Sequence, residues 1–191
     1  LPRFASATEV SRAVYEFISD EKSPQGVIAS VKIPVMPVAA PHGRCVLLDG
    51  LQDPGNVGTI IRTANAAGYG DIYLVGCADP FSPKAVRASM SGVFFTRIMQ
   101  GSAQEVLSAL GGVPLVCADM DGESAYGFAA PEKFCLCIGS EGSGLSEEVR
   151  RAAAHTVKIP MRPTCESLNA AVSAGILMYL LKGAENLVSK E

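Results

Sequence analysis

Three stretches of the chain place polar residues directly after apolar runs, where a buried strand would leave the core and open a site. In the first, Leu48-Asp-Gly-Leu-Gln-Asp-Pro-Gly-Asn-Val-Gly-Thr-Ile-Ile-Arg62, a strand gives way to a glycine-rich turn that feeds a helix. Asn56 can cap that helix or present its carboxamide to a ligand. Arg62 carries a rigid fork of donors suited to phosphate or carboxylate, or is an ordinary surface arginine. The second stretch, Phe134-Cys-Leu-Cys-Ile-Gly-Ser-Glu-Gly-Ser-Gly-Leu-Ser-Glu-Glu148, sets Gly139, Gly142 and Gly144 between a strand and a helix. Glycines let backbone amides approach a ligand closely. Their G-x-x-G-x-G spacing is not the dinucleotide G-x-G-x-x-G, and the Gly-Lys-Ser/Thr ending of a P-loop is missing. Glu141 is a ligand contact or a solvated turn residue. In the third, Ser167 and Asn169 stand just ahead of Ala170–Leu181, where free amides and the helix dipole favour a polar site. Capping explains one such residue but not obviously both.

The elements that would position these residues alternate. Strand-like runs are read at 45–48, 72–75, 93–98, 115–118, 134–138 and 156–159, and helical patterns at 57–67, 83–89, 103–110, 146–153 and 168–181. Gly68 and Gly111 sit where helix C-caps belong. Such alternation with continuous apolar strands implies an α/β domain whose largely parallel sheet is covered by helices on both faces. Ligands of such sheets bind beyond the strands' carboxyl ends, which is where the three stretches fall. The last helix is apolar nearly all round and should be buried in the domain or in a subunit interface. Upstream, 8–19 reads as a helix and 27–33 as a short strand, followed by a proline-rich linker at 34–42.

Composition narrows the class. The 191 residues are 48% hydrophobic and 18% charged, which suits a globular fold. The longest apolar run, 170–181, falls short of the about 20 residues a membrane-spanning helix needs, and no stretch reads as a secretion signal. The chain opens on leucine, as expected of a processed chain or an excised piece. Six cysteines without a Cys-x-x-Cys, and two scattered histidines, predict reduced thiols packed as small hydrophobes and no metal site. The formal net charge of −3 gives no general pull on nucleic acid. Residues 80–104 and 149–165 nevertheless carry bases without acids, which could form local basic surfaces or ordinary solvated faces.

Together the three stretches resemble the motifs of the SpoU branch of the SPOUT methyltransferases. Asn56, Gly58 and Arg62 match N-x-G-x-x-x-R, residues 139–145 match G-x-E-G-x-G-L, and Ile159-Pro-Met161 with Ser167-Leu-Asn169 matches I-P-M followed by S-L-N. Ser82–Ser89 also looks like the family, whereas Ser91 stands where the family often has glycine. The resemblance covers about residues 43–183.

What the resemblance implies is an α/β knot: a mostly parallel sheet covered by helices, with the C-terminal segment threaded into a trefoil knot. Periodicity alone would not suggest this, since threading runs against the usual rule for chains. It implies S-adenosylmethionine as cofactor, contacted largely through backbone at Ala118, Gly139, Ile159, Met161 and Leu168. It further implies a cytoplasmic homodimer with its active site completed across the interface, acting on ribosomal or transfer RNA. Residues 1–33 would be the end of an RNA-binding domain, 34–42 a linker and 43–191 the catalytic domain, with Pro24-Gln-Gly-Val-Ile-Ala29 as that first domain's last strand. Most of that domain would then be missing from this chain, impairing affinity for substrate.

The expected reaction moves a methyl group from a sulfonium to a ribose 2′-hydroxyl, in line and without metal, and needs alignment and loss of one proton. Arg62 is sometimes given the base's role, but a free guanidinium keeps its proton to above about pH 12. Positioning and electrostatic stabilisation suit it better, the proton passing to phosphate, water or a transiently neutral arginine. Asn56, Ser167 and Asn169 would orient substrate and Arg62, and Glu141 would shape the site. Two rival readings are a catalytically silent RNA- or cofactor-binding module, which would need no such complete set, and a dinucleotide-dependent oxidoreductase, which lacks its glycine fingerprint.

Overall fold

The computed structural model describes residues 7–19 and 25–181, so Pro24 and the last ten residues of the expected catalytic domain lie outside the described part. The chain divides into two units, Leu1–Pro34 and Val35–Glu191. The first contains α1 (Arg12–Ile18), capped by the Ser11 hydroxyl, which accepts from Val14 N at 3.4 Å. Val27–Ile33 is not a strand: it has no ladder partner among the described residues, and Val27, Ile28, Val31 and Ile33 are all exposed. A strand needs a neighbour for its backbone groups, whatever its side chains prefer.

The second unit is built on β1 (Cys45–Asp49), β2 (Asp71–Val75), β3 (Arg97–Gln100), β4 (Leu115–Ser124), β5 (Cys135–Gly139) and β6 (His155–Lys158). Its helices are α2 (Pro54–Ala67), α3 (Pro83–Ser89), α4 (Ala103–Leu110), α5 (Glu147–Arg151) and α6 (Ala170–Leu181). The strands form one parallel sheet in the order β3-β2-β1-β5-β4-β6. Side chains alternate between its faces with period two. Val46, Leu48, Ile72 and Leu136 pack beneath α2 and α6, whereas Cys45, Leu47, Cys135 and Cys137 pack beneath α4 and α5. Both faces are therefore apolar, and β1 is buried along its whole length. The six cysteines are free thiols, and burial pushes those of Cys77 and Cys135 up, which keeps them protonated. Among the described residues no helix is long and apolar enough to cross a membrane.

Three elements differ from expectation. The run 93–98 is not one strand: Gly92–Phe94 forms a 3-10 turn and β3 begins only at Arg97, opposite Asp71, where its neighbour β2 begins. Strand β4 continues past Ala118 to Ser124, and both Ala118 and Glu123 pair with Val157 around a bulge. Residues 38–42, read as linker, are seated on the sheet: Tyr73 Oη donates to Ala39 O at 2.7 Å and His42 N to Asp71 Oδ2 at 2.7 Å. Asp71 also pairs with Arg97 at 2.8 Å.

The site is set by where the sheet changes hand. The helix after β1 covers one face and the helix after β5 covers the other, although β1 and β5 are neighbours. Their exits therefore diverge at this switch point, where ligands of such sheets bind.

Candidate active site

The exit of β1 is held by its own carboxylates. Asp53, not Asn56, caps α2, accepting from Gly55 N at 2.8 Å with Pro54 at the first helical position. The hydrogen bond from Lys84 Nζ (2.6 Å), and then the Gly55 amide, hold the Asp53 carboxyl below its usual range. Asn56, in the first turn, is thereby free to act elsewhere. Its Nδ2 donates to Glu141 Oε1 at 2.5 Å, and its Oδ1 accepts from Asn169 Nδ2 at 3.0 Å. Asn169 Oδ1 in turn caps α6, accepting from Ala171 N at 2.9 Å and Val172 N at 3.3 Å. A carboxylate, two carboxamides and a helix N-terminus thus form one chain across all three stretches.

The exit of β5 folds back on itself. Ser140 and Gly144 exchange both backbone hydrogen bonds at 3.0 Å, and Gly144 takes a φ of +67°. A Cβ on Gly139 would run into the backbone of Gly144 and Leu145, so only glycine lets this loop close. Two residues outside the sequence expectation hold the loop from behind. The buried Asp49 Oδ2 accepts from Ser146 N at 2.7 Å. Arg150 Nε donates to Leu145 O at 3.1 Å, and its Nη1 pairs with Asp119 at 3.0 Å. Asp49 was legible only as the polar end of an apolar strand. Arg150, counted from sequence among surface bases, spends its charge on an internal partner.

The β5 exit, with β4 around residues 118–120, the exit of β6 and the start of α6, lines a cavity of about 500 Å³. All five residues expected to touch cofactor, Ala118, Gly139, Ile159, Met161 and Leu168, line it, together with Glu141, Ser167 and Asn169. Asn56 does not line it and joins through its two hydrogen bonds. The size lies within the about 300–1,000 Å³ range of small-molecule sites, and walls that combine apolar side chains and glycine backbone with polar groups such as Asp119, Lys158 and Ser173 fit a nucleoside-bearing ligand. Arg62 is the exception. It lies exposed on α2, outside the cavity, and makes no hydrogen bond or ion pair with a described residue. The basic stretches are also less free than their composition suggested, because Lys84, Arg97, Arg150 and Arg151 all have carboxylate partners.

Comparison with known proteins agrees with this geometry. Residues 43–179 match the model of the SpoU rRNA methylase family. Over 186 residues the chain is 32% identical to a Bacillus subtilis 23S rRNA (guanosine(2553)-2′-O)-methyltransferase, covering 91% of this chain and 71% of that protein. Over 143 residues it is 38% identical to a Streptomyces laurentii 23S rRNA (adenosine(1067)-2′-O)-methyltransferase, covering 72% of this chain and 53% of the relative. Among solved structures, the AdoMet-bound rRNA methyltransferase of Sinorhizobium meliloti superposes with a TM-score of 0.83 at 32% identity, over 89% of this chain and 69% of that one. The chain therefore spans from about half to seven-tenths of the length of these relatives.

Proposed function

The chain belongs to the SpoU rRNA methylase family, and on that premise we propose that it transfers a methyl group from S-adenosylmethionine to a ribose 2′-hydroxyl of ribosomal or transfer RNA. The observation that carries this reading is the joining of all three motif stretches around one cavity by the chain Glu141–Asn56–Asn169.

The cofactor would be held by Ala118, Gly139, Ile159, Met161 and Leu168, which all line the cavity. When bound, it supplies a methyl group on a sulfonium, an electrophile that needs no metal. Asn56 and Asn169 fix the carboxylate of Glu141 at the cavity's rim, and Ser167 offers a hydroxyl three residues ahead of α6. Arg62 grips the phosphate and ribose of the target nucleotide, stabilising the charge that develops as the hydroxyl loses its proton to phosphate, water or a transiently neutral arginine.

The working unit is a homodimer in which Arg62 of one protomer completes the cavity of the other. Two observations support this: Arg62 lies outside its own cavity, and α6 leaves Val172 and Tyr179 about half exposed opposite its buried face. The knot belongs to the same reading. Strand β6 lies at the sheet's edge beside β4, yet α6 returns to pack on α2 and β5, a path that takes the chain back over β4. Residues 1–33 are read as the remnant of an RNA-binding domain, 34–42 as the linker and 43–191 as the catalytic domain. Thiols at all six cysteines support a cytoplasmic setting.

Calorimetric titration with S-adenosylmethionine and S-adenosylhomocysteine tests the site directly. The wild-type chain binds both, and Gly139→Ala, still folded by its melting curve, binds neither. Transfer of labelled methyl to unmodified RNA then leaves an alkali-resistant internucleotide bond, the mark of a blocked 2′-hydroxyl. Cofactor binding without transfer to any RNA would favour the silent binding module instead. With Arg62→Lys, which keeps the charge but loses the fork, turnover falls by roughly a hundredfold while cofactor affinity holds. Near-normal turnover would remove bidentate positioning from the mechanism.

A further inference from the structure

The turn at residues 90–95 is used by neither the cavity nor the cofactor. Of the phenylalanines between residues 35 and 181, Phe81, Phe128 and Phe134 are buried or half-buried. Phe94 and Phe95 stand 67% and 69% exposed, with Met90 at 64%. Adjacent exposed rings forgo about 1.5–3 kcal/mol each of burial, which a surface without a partner has no reason to do.

The turn is also built to hold them still. Met90 and Ser91 both adopt left-handed backbone (φ 44° and 72°), and Phe94 N and Phe95 N donate to Ser91 O and Gly92 O at 2.9 and 3.0 Å. Thr96 Oγ1 donates to the same Gly92 carbonyl at 3.0 Å. Gly92 is pressed onto α2, where a Cβ would lie 3.2 Å from Arg62 Cα. The backbone that carries the two rings is therefore held in place by the turn that packs against the backbone of Arg62. No acid occurs between Pro80 and Gln104.

We propose that Phe94 and Phe95 are a stacking platform for unpaired nucleobases beside the target nucleotide, so that the substrate is a single-stranded or looped segment of RNA. This rests on the methyltransferase reading and deepens it. In that reading Arg62 meets the target nucleotide at the partner's cavity, and because Gly92 packs on the backbone of Arg62, the turn that carries the rings stands beside the RNA entering there. An apolar protein surface laid over them would bury an unpaired guanidinium at a steep desolvation cost, whereas RNA brings both flat π-faces for the rings and phosphates for the arginine. Stacking tolerates any base, and rigid rings lose little entropy when a base lies on them.

The test uses the whole chain loaded with S-adenosylhomocysteine and single-stranded oligoribonucleotides carrying 2-aminopurine, whose fluorescence is quenched on stacking. The wild-type chain quenches it. Phe94→Ala and Phe95→Ala each weaken single-strand binding by about tenfold and lose the quenching, Phe95→Tyr restores both, and affinity for duplex RNA of the same length is unchanged. Sedimentation and cofactor titration of the variants match wild type. Undiminished quenching in the alanine variants overturns the proposal, as does a wild-type chain that binds cofactor but no RNA. Variants that fall apart into monomers with RNA affinity intact would assign the rings to a second copy of the chain and overturn it too. Failure of the wild-type chain to bind cofactor would instead strike the methyltransferase reading.

Discussion

Asn56 acts as a joint with one donor and one acceptor in use. Its Nδ2 donates to Glu141 and its Oδ1 accepts from Asn169. Asn56→Asp keeps the size and removes the donor, setting two carboxylates within hydrogen-bonding distance. Like charges so placed cannot both stay ionised, so one takes up a proton or the loop moves away. Turnover should fall by about 10–100-fold at pH 8 and partly recover below about pH 6, where one proton shared by the pair rebuilds the bond. A pH–rate profile checks this, since misfolding would show no such recovery. The double change Asn56→Asp with Glu141→Gln exchanges donor and acceptor and satisfies all three partners again. It should recover most of the lost turnover at pH 8, and no recovery would mean that the position of the negative charge matters more than the network. Ser91 offers a conformational counterpart. At φ 72° a side chain costs energy that glycine avoids, so Ser91→Gly should stabilise the fold by about 0.5–1 kcal/mol, read as a rise of about 1–4 °C in melting temperature.

At the scale of elements, a motif glycine turns out to serve packing and not chemistry. Gly58 lies on α2 where α3 crosses it, and a Cβ there would strike the carbonyl of Ala85 and lie 2.8 Å from Ala88 Cβ. Gly58→Ala should push the helices apart, costing about 2–3 kcal/mol and lowering the melting temperature by about 5–10 °C, with cofactor affinity in the surviving folded protein little changed. A melt like wild type would mean that the crossing is softer than it looks. The sheet's strands and most helices were legible because buried parallel strands read as continuous apolar runs and helix caps have local signatures. The helices at 83–89 and 103–110 match in both bounds. Illegible were features decided by neighbours far along the chain. In the run 93–98, Gly92 packs on the backbone of α2 and Gly92–Phe94 closes into a 3-10 turn. The polar half of β4 regains its ladder on β6 only at Glu123 and Ser124, beyond a bulge that holds Asp119 and Asp121. At the site, residue types and order marked the polar residues, and the family resemblance supplied the five positions that line the cavity. They did not reveal the inward roles of Asp49 and Arg150, whose partners lie 97 residues away at Ser146 and 31 away at Asp119.

For the whole molecule, the separation of Arg62 from the cavity makes the assembly a matter of chemistry. A folded protomer joins Glu141, Asn56 and Asn169 beside the cavity that Ser167 also lines, yet presents the Arg62 side chain elsewhere on α2 without a partner among the described residues. If Arg62 completes the second protomer's cavity, two different inactive chains can repair each other. Arg62→Ala keeps a sound cavity and lacks the arginine, whereas Gly139→Ala keeps the arginine and has a blocked cavity. Mixed in equal amounts after dissociation and reassociation, half the dimers pair one of each, and each such dimer holds one cavity with its arginine supplied across the interface. Activity should return to about a quarter of the wild-type rate. Arginine and cavity working within one protomer would give no recovery at any mixing ratio, because neither chain then carries both. The same mixture also separates assembly from catalysis: chains that sediment as dimers but show no recovery would keep the dimer while removing the shared site.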